Sequence, residues 1–204
     1  MNIFKKLFIS VVILSTIMVN TTTASAYTGY VGADEDVPNA VRQAEVAKYY
    51  LDRSGYNTTL YAGSSFTKAS IKNVVPSVRV FYVSCHGGGG GYYFCTKNEN
   101  VYAREIYEWT RGFYKFVFID ACQSADSKRL YNAFNMVDGD GLNNAFLGWK
   151  GLAYSSGAYF TFSNTVFERL TAGATVNDAV WTARSRTGIT NYQIYGNYKT
   201  TLYN

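Results

Sequence analysis

The sequence predicts one α/β domain: a mostly parallel central sheet with helices on both faces. Three observations carry that reading. Short, near-continuous apolar runs, above all Arg79-Val-Phe-Tyr-Val-Ser84 and Lys115-Phe-Val-Phe-Ile-Asp120, suit strands buried on both faces. Segments with apolar residues at helical spacing separate them, and strand–helix alternation calls for right-handed crossovers between parallel strands. The length, 204 residues with 48% apolar, 17% aromatic and 16% charged residues, suits a single core and excludes a disordered chain.

The elements follow in order. Tyr27 to Gly32 reads as a first strand. Val37, Ala40, Val41, Ala44, Ala47 and Leu51 recur at helical spacing, and Gly55 stops that helix. Tyr56 to Tyr61 is a second strand, and Lys68 to Asn73 a short helix before the strand Arg79–Ser84. After a glycine loop, Tyr92-Tyr-Phe-Cys95 is a small excursion, and Ala103 to Thr110 a helix. Lys115–Asp120 is the clearest strand. Lys150 to Tyr154 reads as another, followed by helices near Thr165–Leu170 and Val176–Ser185 and a last strand, Tyr192–Tyr195. No internal repeat is visible.

Residues 1–26 read as an export signal, leaving 27–204 as the domain. Lys5 and Lys6 supply a positive start, Leu7 to Val19 an apolar stretch, and Ala24-Ser-Ala26 a small-residue cleavage site. The apolar stretch falls short of the roughly 18–20 residues that span a bilayer. The expectation is a secreted, extracellular protein with no membrane association after signal removal. The formal net charge of +5 comes without a Lys/Arg block, which argues against a nucleic-acid partner. The 19 tyrosines are spread along the chain and suit sheet packing.

In open α/β sheets the functional loops leave the carboxyl ends of the strands. Gly32–Asp36, Cys85–Gly91 and Ala121–Ser124 are such loops here. The chain's one histidine, His86, lies two residues past Ser84, and Cys122 two past Asp120. On neighbouring parallel strands both would emerge at one sheet edge. A thiol beside an imidazole is the minimum for nucleophilic acyl transfer, and the glycines after His86 let backbone N–H groups approach a carbonyl oxygen. Singly, each residue is more often structural; together, at matched strand ends, they favour function. Cys85, Cys95 and Cys122 make an odd set for an exported chain, so at least one thiol is free or intermolecular, and a Cys85–Cys95 bridge across the glycine run is one option. Adjacent Cys85 and His86, with no C-x-x-C, argue against a metal set.

Val80-Phe-Tyr-Val-Ser-Cys-His86-Gly87 and Val117-Phe-Ile-Asp-Ala-Cys122-Gln-Ser124 resemble the two signature motifs of the caspase-like (clan CD) cysteine peptidases: caspases, metacaspases, clostripain and gingipains. A Gly-containing first strand, an Asp-rich turn into a helix, and Leu170-Thr-Ala-Gly173 before a helix extend the resemblance over nearly all of residues 27–196. It implies a three-layer caspase-like fold and a thiol protease, with His86 as general acid/base and Cys122 as nucleophile. It also implies an oxyanion hole from the amides of Gly87 and Cys122. By likeness to the metacaspase branch, Asp36, Ser84 and Asp120 line the pocket for the residue before the cut, where a carboxylate pair would favour Arg or Lys. Asp36 could equally cap the helix that follows, and Asp120 could hold a neighbouring loop.

Two positions depart from the pattern: Cys85 stands where a Gly usually precedes the His, and Ala125 where a Gly follows the Ser. An oxidised Cys85–Cys122 pair would silence the enzyme. The expected partner is a peptide or protein substrate, and the chemistry requires no cofactor. Asp138-Gly-Asp140-Gly141 resembles part of an acidic calcium loop without its EF-hand spacing, which leaves calcium activation open. Lys128-Arg129 falls where many relatives self-cleave, although ordinary surface charge accounts for it as well. The alternative function is a non-catalytic or solely self-processing scaffold that binds a peptide or a cell-surface partner.

Overall fold

The computed structural model describes residues 27–111, 114–136 and 143–203. Residues 1–26, which read as an export signal, and the acidic stretch Asp138–Gly141 lie outside them. The element order is β1 (Thr28–Ala33), α1 (Ala40–Arg53), β2 (Asn57–Ala62), a 3-10 turn (Gly63–Ser65), α2 (Lys68–Val74), β3 (Val80–Ser84), β4 (Gly87–Gly88), β5 (Tyr93–Cys95) and β6 (Asn100–Tyr102). Then come α3 (Ala103–Trp109), β7 (Phe116–Asp120), α4 (Arg129–Ala133), β8 (Ala145–Trp149), α5 (Gly157–Thr171), α6 (Val176–Thr187) and β9 (Tyr192–Gly196).

The central sheet has six strands in the order β2-β1-β3-β7-β8-β9; the first five are parallel and β9 runs antiparallel along β8. This is the three-layer α/β fold the apolar runs predict. Alternate residues of each strand feed two cores. Tyr82, Phe116, Phe118, Leu147 and Trp149 pack with α1, α5 and α6. Phe81, Val83, Val117, Ile119 and Phe146 pack with α2, α3 and α4. Burial on both faces is why these strands read as unbroken apolar runs, each large side chain contributing roughly 1.5–3 kcal/mol.

Local chemistry sets the helix ends. In α2, the Thr67 hydroxyl accepts from Ser70 N–H at 3.1 Å and the Ser70 hydroxyl accepts from Thr67 N–H at 3.1 Å, closing a capping box. Gly55, at φ 85, and Gly188, at φ 73, take the left-handed backbone after α1 and α6. The N-cap position of α1 falls on Asn39, three residues past Asp36, and the Asn39 side chain makes no capping bond.

One strand sits elsewhere than its sequence signal. The strand is Ala145–Trp149, buried at every position, and Lys150–Tyr154 is a loop. A lysine opening a strand between β7 and β9 would bury its charge; the register instead ends pairing at Trp149. The excursion at Tyr92–Cys95 proves to be the middle of a separate antiparallel sheet, β4-β5-β6, which takes up the Gly87–Gly88 stretch after His86.

Candidate active site

Strand register places the two loops together. Ser84 and Asp120 are Cα partners across β3 and β7, and Cys85 N–H donates to the Asp120 carbonyl at 3.2 Å. His86 and Cys122, each two residues further on, line one cleft of about 220 Å³ with Val37, Pro38, Asp120, Ala153 and Tyr154. A larger groove of about 740 Å³ between β6, α3 and α4 contains neither residue, so the convergence of reactive groups rather than size selects the site.

The Cys122 turn is held from below. Ser124 Oγ donates to Ile119 O at 2.7 Å and accepts from Trp149 N–H at 2.9 Å, while Ala125 N–H donates to Trp149 O at 2.9 Å. Gln123 takes a left-handed φ of 58 and its N–H reaches Gly151 O at 2.7 Å. A Cβ on Gly148 would stand 2.7 Å from Ser124 Oγ, so the absence of a side chain there lets the turn pack onto β8. The half-buried Cys122 thiol sits against the Lys150–Ser156 loop: it donates to Ala153 O and accepts from Ala153 N–H, both at 3.4 Å.

His86 is exposed, and its carbonyl accepts from Cys95 N–H at 2.8 Å, tying the segment to β5. A Cβ on Gly87 would lie 2.8 Å from both the Ala121 Cβ and the Cys122 carbonyl oxygen. The backbones of the two residues assigned to the oxyanion hole therefore approach as only glycine permits. Gly87→Ala is expected to destabilise the fold by about 1–3 kcal/mol, since backbone rather than a flexible tip must yield. A thermal midpoint equal to that of wild type would show the approach to be looser.

All three thiols are free. Burial pushes the Cys85 thiol well up, helped by nearby Cys95, Asp34 and Asp120, and burial also raises half-buried Cys95, which donates to Asn100 Oδ1 at 3.3 Å. The thiolate is the reactive form, so native protein treated with iodoacetamide at neutral pH should be alkylated at Cys122 well before Cys85. Peptide mapping reads the order, and equal rates would contradict it.

Asp120 is buried and heavily hydrogen-bonded. Its Oδ2 accepts from Tyr82 OH at 2.9 Å, Ser163 Oγ at 2.8 Å and Gln43 Nε2 at 3.2 Å; its Oδ1 accepts from Trp149 Nε1 at 2.6 Å. Burial raises its carboxyl above the ordinary range, opposed by the bonds from Trp149, Ser163 and Tyr82. All four donors are uncharged. Ser84 is buried beside it, with its hydroxyl on Gln43 Oε1 at 3.1 Å. Asp36 is exposed and lines a second groove, about 530 Å³, that shares only His86 with the Cys122 cleft. The two acids of the expected pair therefore stand apart.

Gln43, Tyr82, Trp149, Ser163 and Ala153 are residues that motif reasoning missed. Gln43 alone left a trace: it is the polar member of the buried α1 stripe Ala40, Gln43, Ala44, Ala47, Leu51. Lys128 and Arg129 are exposed ahead of and within α4, and the Arg129 guanidinium lies 3.4 Å from the Tyr92 ring centroid. Among the described residues no group of three His, Cys, Asp or Glu is arranged to hold a metal ion.

No family model matches the chain, and no curated protein does. Among solved structures the chain is similar to the crystal structure of protein GSU0716 from Geobacter sulfurreducens, a structural-genomics target, at 14% identity, covering 83% of this chain and 92% of that one, with a TM-score of 0.46.

Proposed function

We propose that the chain is a secreted cysteine endopeptidase of the caspase-like type that cleaves after Arg or Lys. The observation that supports this reading is one cleft lined by a thiol, an imidazole and a buried carboxylate with only neutral partners. The Cys122 sulfur attacks the substrate carbonyl carbon after its proton passes to His86. The oxyanion that forms is stabilised by the backbone amides of Gly87 and Cys122. His86 then protonates the leaving amine, and water hydrolyses the acyl-enzyme with His86 as base. Asp120 supplies the negative charge that a Lys or Arg side chain in the cleft would neutralise.

The test uses fluorogenic peptides that differ only in the residue before the cut: Arg, Lys, Asp or Asn. It is run with reductant, with and without calcium. Cleavage after Arg or Lys is the expected result. Cleavage only after Asp or Asn keeps the dyad and removes Asp120 from substrate selection. Silence on every peptide moves the reading to a binding or self-processing scaffold.

A further inference from the structure

Gln43 is buried in the middle of the α1 face that otherwise presents alanines and Leu51 to the sheet. Packing alone would favour an apolar residue there, because a buried amide is costly unless both ends are bonded. Both ends are: Nε2 donates to Asp120 Oδ2 and Oε1 accepts from Ser84 Oγ. Ser84 and Asp120 are Cα partners, so a single amide bridges the ends of the two strands that lead to His86 and Cys122. The Ser84 hydroxyl turns the amide so that its NH₂ faces the carboxylate.

The bonds on that carboxylate are unequal. Oδ2 accepts three and Oδ1 one, and a carboxylate offers about four lone-pair sites divided between its two oxygens. Remaining acceptor capacity is thus on Oδ1. A cationic side chain at position 43 would neutralise Asp120 internally; glutamine orients it and leaves its charge uncompensated.

We propose that Gln43, locked by Ser84, is the positioning residue that makes the cleft selective for a basic side chain. Gln43 and Ser84 act through Asp120 and do not touch substrate themselves. The inference rests on the peptidase reading for its biological meaning, but its test does not require hydrolysis.

Agmatine, a guanidinium amine, is titrated calorimetrically into Cys122→Ala protein, with Gln43→Leu, Gln43→Lys and Ser84→Ala added in turn and folding checked by circular dichroism. Binding should weaken about tenfold in Gln43→Leu and by less in Ser84→Ala, as expected for loss of a hydrogen bond to a charged group, and vanish in Gln43→Lys. Ser84→Ala, which removes one hydroxyl, carries the test if Gln43→Leu does not fold. In the active protein the ratio of kcat/KM for Arg over Leu peptides should fall in the same order. A folded Gln43→Leu or Ser84→Ala protein that binds agmatine as tightly as its parent overturns the proposal, as does a parent that does not bind agmatine. Agmatine binding in this pattern by the Cys122→Ala parent, together with wild-type protein that hydrolyses no peptide, sinks the peptidase reading alone.

Discussion

Cys122→Ala is expected to lower peptide hydrolysis by about ten-thousand-fold or more, to the level that binding and backbone amides sustain without a nucleophile. Stability should change little. The Cys122 thiol makes two long hydrogen bonds, both 3.4 Å, with Ala153. The turn is held instead by Ser124, Gln123 and the Ala125 amide, all of which survive the substitution. The unfolding free energy should therefore stay within about 1 kcal/mol of wild type. Undiminished hydrolysis by the folded variant would exclude Cys122 as nucleophile. Comparing the intact masses of wild-type and variant protein after storage shows in the same preparation whether the chain cleaves itself.

Asp120→Ala should have the largest effect on the fold itself, a loss of about 3–5 kcal/mol. Two effects compete at this site. Burial disfavours the ionised carboxylate and raises its pKa, which on its own would make removal harmless. Against that, four donors from α1, β3, β8 and α5 converge on it, and Ala leaves Gln43, Tyr82, Trp149 and Ser163 without an acceptor. The stranded donors outweigh the relieved charge. Asp120→Asn keeps one acceptor oxygen and should lose less.

The pH dependence separates the two effects. A folded-state pKa above the unfolded value means that the native form holds its proton longer. The stability contributed by Asp120 is then fully present in acid and declines as pH rises towards that raised value. The disadvantage of Asn relative to Asp should be largest in acid and shrink towards neutral pH. Urea midpoints at acidic and neutral pH measure it, and a disadvantage that grows with pH would contradict the raised pKa.

Strand identity was readable because β3 and β7 are buried on both faces, which forces every residue from Val80 to Ser84 and from Phe116 to Asp120 into one buried run. The strand β8 was misplaced by a few residues because Ala145-Phe-Leu-Gly-Trp149 carries no local stop signal before Lys150; pairing with β7 and β9 decides its end. The same loop, read as a strand, turns out to hold Ala153 against the Cys122 thiol.

By itself the sequence determined the α/β class and the placement of His86 and Cys122 two residues beyond two strands, because apolar periodicity and glycine punctuation are properties of neighbouring residues. Only the tertiary structure decided which groups share a cleft. The Ser84–Asp120 register brings the two loops together, separates Asp36 from Asp120, and carries Gln43 from a helix 41 residues before Ser84 to the floor beneath them. The reason is physical: a buried polar group must find its partners across the core, and those partners are set by strand order and helix packing, which no local stretch of sequence encodes.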